Sequence, residues 1–270
     1  MFELDFTPNN ISHGVTGLDG LGGDEVLAIV GQPEQNPVLT VEDKPHEQAN
    51  APRYLVYPLD WVSVDRKNVT HEPRTIDFGE SFYVTNPSED LGTPGPYRSP
   101  ELMLDKMCGS SSYVWALGCT LFEIWTGRKL FRPFDDDDDD YLESMCEILG
   151  KLPEPWWSTT WEIRRRLFKD EVGANGHVVD ANPPSEVASE RPENVSVHPS
   201  VPVGARSLLD ALRPGLWHLS AHRPGSFHQE IPDAEKAALA DLLGLLLKFD
   251  PAKRATVEDV LEHEWFRSSF

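Results

Sequence analysis

Cysteine is scarce in this chain. Three thiols, Cys108, Cys119 and Cys146, stand in 270 residues, with no close pair and no Cys/His cluster at metal-ligand spacing. A disulfide scaffold and a structural zinc site are therefore not expected, and a reducing compartment is. Long apolar runs are missing too. The most apolar segment, from Ala237 to Phe249, contains Asp241 and Lys248 and falls short of the roughly 20 residues that cross a bilayer. It reads as a buried helix, and no membrane partner is expected. Bases are few: 24 Lys and Arg face 45 Asp and Glu, a formal charge of −21. That excess repels a phosphate backbone, so direct nucleic-acid binding is not expected and a basic partner suits the chain better. The start, Met1-Phe2-Glu3-Leu4-Asp5-Phe6, carries acids where a secretory signal carries bases, so a cytoplasmic or nuclear location is expected.

Apolar residues are present in quantity. A hydrophobic content of 39%, with eight Trp and twelve Phe, suffices for a substantial core. From Ser111 to Thr126 the residues Val114, Trp115, Leu117, Leu121, Phe122, Ile124 and Trp125 leave no polar face, the pattern of an enclosed helix, with Gly127 as its stop. Leu142, Met145, Ile148 and Leu149 predict a helix from about Tyr141 to Gly150. Leu239, Leu242, Leu243, Leu246 and Leu247 predict another, ended by Asp250-Pro251. Thr256 and Asp259 have the form of a capping box for a last helix bearing Val260, Leu261, Trp265 and Phe266. Residues 12–75 read mostly as a spacer insert with strands at Tyr54–Tyr57 and Thr75-Ile76. Residues 172–232 thin to Pro, Ser, Glu, Asn and Gly and are expected to be irregular or disordered. Arg164, Arg165 and Arg166 read as a solvated helix face.

Four strings follow one another in order: Ile76-Asp77-Phe78-Gly79, then Pro96-Tyr97-Arg98-Ser99-Pro100-Glu101, then Trp115-Ala116-Leu117-Gly118-Cys119, then Asp250-Pro251-Ala252-Lys253-Arg254. In this combination they resemble the carboxyl-terminal lobe of a eukaryotic protein kinase. Tyr97-Arg98 ahead of Ser99-Pro100-Glu101 narrows the resemblance to the CMGC group of cyclin-dependent, MAP and SR-protein kinases. The long spacer between Asn10 and Asp77, and the stretch from Thr126-Gly127-Arg128 through an acidic run to Gly150-Lys151-Leu152-Pro153, are most similar to SR-protein kinases. The implied fold class is α+β and mostly α-helical, a kinase-like C-terminal lobe filling 1–270 without an N-terminal lobe.

The resemblance implies phosphoryl transfer from ATP with Mg2+ to Ser or Thr of a protein, one rich in Arg and Ser if the SR-protein-kinase likeness holds. Asp5-Phe6-Thr7-Pro8-Asn9-Asn10 aligns with the catalytic loop, making Asp5 the candidate base and Asn10, with Asp77, the candidate metal ligands. Read on their own, Asp5, Pro8 and Asn10 also suit an ordinary turn. Tyr97 and Arg98 would shape the substrate side. Glu101 and Arg254 would form a buried structural ion pair, with Trp115 and Gly118 in the central helix. Asp135, Asp136, Asp137, Asp138, Asp139 and Asp140 have two readings: a docking surface for Arg-rich peptides, or carboxylates favourably set against a helix N-terminus.

Three positions depart from the family pattern. Glu3 stands where a His is usual, Thr7 where a Lys approaches the transferred phosphate, and Tyr113 where an Asp ties the central helix to the catalytic loop. The Gly-rich loop and the Lys and Glu of the other lobe would precede Asp5, so the chain alone is expected to bind ATP poorly. Two function classes follow: a Ser/Thr kinase represented by a truncated chain, or a catalytically silent module that binds Arg-rich proteins through an acidic groove.

Overall fold

The computed structural model describes residues 6–59, 64–81, 92–132, 137–173, 176–181, 201, 204–219 and 226–268. Two compact units are formed, a larger one from 1–11, 75–219 and 226–270 and a smaller one from 12–74 and 220–225.

In the smaller unit the described elements are strand β1 (Ile11–Val15, entering from the larger unit), helix α1 (Gly23–Val30), strands β2 (Gln35–Pro37) and β3 (Tyr54–Val56), and strand β4 (Val69–Thr75, leading back to it). β1 pairs with β4, and β2 pairs antiparallel with β3, placing Asn36 opposite Leu55. Among the described residues of 12–74 only Val30 and Val64 are buried apolar side chains, while Leu55 and Val56 are more than half exposed. Two-stranded ribbons cannot bury both of their faces.

The larger unit contains α2 (Pro100–Leu104), α3 (Ser110–Thr126), α4 (Asp138–Leu149), α5 (Arg164–Leu167), β5 (Phe168–Val172), β6 (Val178–Asp180), α6 (Leu208–Leu212), β7 (Leu216–Leu219), β8 (Ser226–Gln229), α7 (Asp233–Leu246), α8 (Val257–Glu262) and α9 (Glu264–Arg267). Its sheets are the antiparallel hairpins β5-β6 and β7-β8. The architecture is thus mainly helical with small sheets.

α3 forms the axis of the core. Trp115 and Phe122 are fully buried, although Ile124 is exposed. Gly118 lies under α7, where an added Cβ would sit 2.8 Å from a Leu247 methyl. Gly127 ends α3 in the left-handed region at φ 69°, and a Cβ there would strike the Trp217 carbonyl. α7 contributes Leu239, Leu242, Leu243 and Leu246, all fully buried, each worth about 1.5–3 kcal/mol of apolar burial.

Several expectations need correction. α4 starts at Asp138 rather than near Tyr141, because the Asp137 carboxylate caps it by accepting from the Asp140 amide at 2.9 Å. α7 ends at Leu246, ahead of Pro251, and the Leu245 carbonyl, which the Phe249 amide would use in a longer helix, accepts from the Ala255 amide at 3.1 Å instead. The last helix is two short ones. The Thr256–Asp259 capping box starts α8, and His263, extended at ψ 143°, breaks the run and caps α9 by accepting from the Trp265 amide.

Residues 172–232, expected to be irregular, contain β6, α6, β7 and β8. Buried Ala211 and Leu212 on α6, and the carbonyls of Ala211 and Gly215 that Arg128 caps at 3.2 and 3.1 Å, are long-range features with no local periodic signature. Residues 182–200 lie outside the described residues. Arg164 is not solvated either. It is buried over the Trp157 ring, donates to the Trp157 carbonyl at 2.7 Å and pairs with Asp170.

Candidate active site

Asn10 closes a 3-10 turn, Pro8–Asn10, whose N1 proline presets the backbone. The Asn10 amide donates to the Thr7 carbonyl at 3.0 Å, and Thr7 and Asn10 are both buried. The Asn10 carbonyl in turn accepts from the Ile76 amide at 2.9 Å. The chain leaves the larger unit after Ile11 and returns at Thr75, and the residues just inside those points, Asn10 and Ile76, are bonded to each other. A spacer whose ends already touch adds little loop-closure cost however long it is.

Asp77 is exposed and sits at φ 62°, ψ 67°, ahead of the turn Phe78–Glu80. A left-handed aspartate costs about 1–3 kcal/mol, and such residues cluster at functional sites. Both candidates offer hard oxygen donors, one carboxylate and one carboxamide, which suit a magnesium ion that keeps water and phosphate oxygens in its remaining positions. Asp5, the candidate base, lies outside the described residues.

The main chain around Asn10 is anchored to α3. The Thr120 hydroxyl, fully buried, donates to the Phe6 carbonyl at 2.7 Å, and the Tyr113 ring lies 5.3 Å from that of Phe6. Sequence reasoning missed Thr120 because a lone threonine in an apolar helix carries no periodic signal.

Tyr97 and Arg98 are spent on internal partners. Tyr97 is buried, donates its hydroxyl to the Glu123 carboxylate and has the Lys129 ammonium 5.5 Å from its ring. Arg98 bonds the Thr93 carbonyl through Nε and Nη2 and the Asp138 carboxylate through Nη1 at 2.6 Å. The second oxygen of Asp138 holds Lys106 at 3.1 Å. Gly95, just ahead, has the Tyr141 ring where its Cβ would be.

The described carboxylates Asp137, Asp138 and Asp139 of the acidic run also bond within the chain. Asp137 caps α4, Asp138 clamps Arg98 and Lys106, and Asp139 accepts from the Trp161 indole at 2.8 Å. All three carboxylates thus have partners within the chain. Asp135 and Asp136 lie outside the described residues. Asp140 sits one turn from a second acidic group that sequence reasoning missed, Glu143 and Glu147 on α4 with Asp180 on β6. Burial, then Glu147, Asp140 and Asp180, raise the Glu143 carboxyl above its ordinary 4.5. Burial also raises Glu147, against the pull of Arg206 at 3.7 Å.

The expected ion pair is present. Arg254 meets Glu101 through two bonds of 2.7 Å, with both side chains nearly inaccessible. Ser112 donates to Glu101 at 2.8 Å, Arg254 also donates to the Ser111 carbonyl, and the guanidinium lies 5.0 Å from the Trp115 ring. The two thiols near this core, Cys119 and Cys146, are pushed well up by burial, so neither is a nucleophile at neutral pH.

The core is thus helical about α3, with Glu101 locked to Arg254 and the residue ahead of the Asp77-Phe78-Gly79 turn bonded to Asn10. Comparison places it: the protein kinase domain family matches residues 64–266, more than half of the chain, and the chain belongs to that family. The match starts after Asp5 and Asn10. The chain is 28% identical to the serine/threonine-protein kinase AFC3 of Arabidopsis thaliana over 73% of its length and 41% of that protein. It is 26% identical to the dual specificity protein kinase CLK1 of Mus musculus, over 75% and 34%. To the dual specificity tyrosine-phosphorylation-regulated kinase 2 of Drosophila melanogaster it is 28% identical, over 73% and 22%. It thus spans less than half of each relative's length. No helix among the described residues is long and apolar enough to cross a membrane.

Two outcomes check these assignments. Glu101→Gln leaves the Arg254 charge buried without its counter-charge and should cost about 3–5 kcal/mol in urea unfolding; a loss below about 1 kcal/mol would show the pair to be dispensable. A carboxyl raised in the folded state adds stability below its unfolded value and loses it as pH climbs through the folded one. Glu143→Gln should therefore leave Tm unchanged near pH 4 and raise it near pH 7, measured by circular dichroism.

Proposed function

We propose that the chain carries the substrate-side half of a protein kinase of the CMGC group, similar to SR-protein kinases, acting on Ser or Thr of an Arg/Ser-rich protein with ATP and Mg2+. Asp5 would take the proton of the substrate hydroxyl, and Asn10 and Asp77 would hold the metal. When bound, the ion neutralises charge on the phosphates of ATP. The observation that carries this reading is the 2.9 Å bond between the Ile76 amide and the Asn10 carbonyl, which makes neighbours of two candidate ligands far apart in sequence. Thr7, neutral and buried, stands where the loop cation is expected, so transfer by this chain alone is slow. A cytoplasmic or nuclear site and the absence of nucleic-acid and membrane partners belong to the same proposal.

Asp77→Asn tests it. The wild-type chain should bind Mn2+–ADP, followed by paramagnetic resonance, and the variant should bind it at least tenfold more weakly with an unchanged circular dichroism spectrum. Equal affinities would remove Asp77 as a metal ligand.

A second reading, a module binding Arg-rich proteins, is favoured by the group Asp140, Glu143, Glu147 and Asp180. Burial and then mutual repulsion raise Glu143, and a guanidinium docked there would offset the repulsion. An Arg-Ser repeat peptide should bind with an affinity that falls steeply with salt, and Glu143→Gln with Glu147→Gln should weaken it at least fivefold. Salt-independent binding, or no change in the double variant, would count against the groove.

A further inference from the structure

Two side chains of α3, of different kinds, meet the loop of Phe6 to Asn10. Tyr113 offers a ring against the Phe6 ring, 5.3 Å between centroids and tilted by 55°. Such a contact tolerates sliding, since the energy of two rings changes slowly with offset. Thr120 offers a hydroxyl to a main-chain oxygen at 2.7 Å, a bond that weakens steeply with distance and angle. It is fully buried, so water cannot replace the donor if the loop drifts.

The bond continues in series toward both candidate ligands. The Phe6 carbonyl is held by Thr120, the next carbonyl, Thr7, receives the Asn10 amide at 3.0 Å, and the Asn10 carbonyl receives the Ile76 amide at 2.9 Å. Asp77 follows directly. The middle of the central helix is thus joined to Asn10 and to the residue before Asp77 by three hydrogen bonds, and only the first involves a side chain. We propose that Thr120 is a positioning residue that sets the catalytic-loop segment against the central helix through its bond to the Phe6 carbonyl. This rests on the reading of Asn10 and Asp77 as metal ligands. Thr126, also fully buried, supplies the internal contrast: its hydroxyl donates to Phe122 within the same helix at 2.7 Å and touches no part of the loop.

The experiment is amide hydrogen exchange by mass spectrometry on the whole chain, comparing Thr120→Val, Thr120→Ser and Thr126→Val. Thr120→Val keeps the shape and removes the donor, and should speed exchange over residues 7–11 and at Ile76 at least tenfold, with 239–246 of α7 unchanged. Thr120→Ser should stay within twofold of wild type, and Thr126→Val should leave 7–11 unchanged. The proposal is overturned if Thr120→Val leaves 7–11 unchanged, if it speeds 7–11 and α7 alike, or if the serine variant fails to restore protection. Mn2+ binding is the second readout: Thr120→Val should weaken it at least fivefold and Thr120→Ser should not, and an unweakened Thr120→Val would overturn the positioning role. A wild-type chain that binds no Mn2+ would instead sink the metal-ligand reading, while the exchange data still decide whether Thr120 ties the loop.

Discussion

The buried pair of Glu101 and Arg254 ties together segments that the chain itself keeps far apart. One partner sits on α2, immediately after the turn that carries Tyr97 and Arg98, and the other follows the end of α7. Ser112 and the Ser111 carbonyl at the start of α3 complete the set, and the Trp115 face covers the guanidinium. A charge this deep is tolerable only when its partner and hydrogen bonds are all in place. The geometry of the pair therefore constrains three helices at once. Arg254 is held in place further by the carbonyls of Lys248 and Phe249, just past the end of α7.

The polar groups of the activation-segment side form a second layer on that frame. Arg98 is pinned between the Thr93 carbonyl and Asp138, and Asp138 also holds Lys106. The first turn of α4 thereby serves as a clamp on the segment ahead of α2. Carboxylates that look in sequence like an open electrostatic surface are, for Asp137, Asp138 and Asp139, occupied by a backbone amide, two cations and an indole. The acids with raised values lie one and two turns further along the helix, where Glu143 and Glu147 meet Asp180 and burial opposes their ionisation.

Much of the helical plan was legible in the chain. The unbroken apolar surface of 111–126, the leucine stripe of 239–247 and the Thr256–Asp259 box mark α3, α7 and α8 because they depend on neighbours within four residues. What escaped was set by distant partners. Arg164 looked solvated until Trp157 and Asp170 came to it, and α6 had no visible signature because its end is capped by Arg128, from the turn that follows α3. Thr120 is a single hydroxyl on a greasy helix, and its meaning depends on a carbonyl more than a hundred residues away.

From the sequence alone came the order of motifs and, through the family resemblance those motifs carry, the expectation that Glu101 pairs with Arg254 and the candidate ligands Asn10 and Asp77, since a resemblance is read from residue type and linear order. Only the tertiary structure decided that Asn10 lies against Ile76, that Thr120 reaches the Phe6 carbonyl, and that Asp137, Asp138 and Asp139 find partners within the chain. Those outcomes depend on which buried donors and acceptors find one another when the core closes, and a buried polar group must take whatever partner the packing presents.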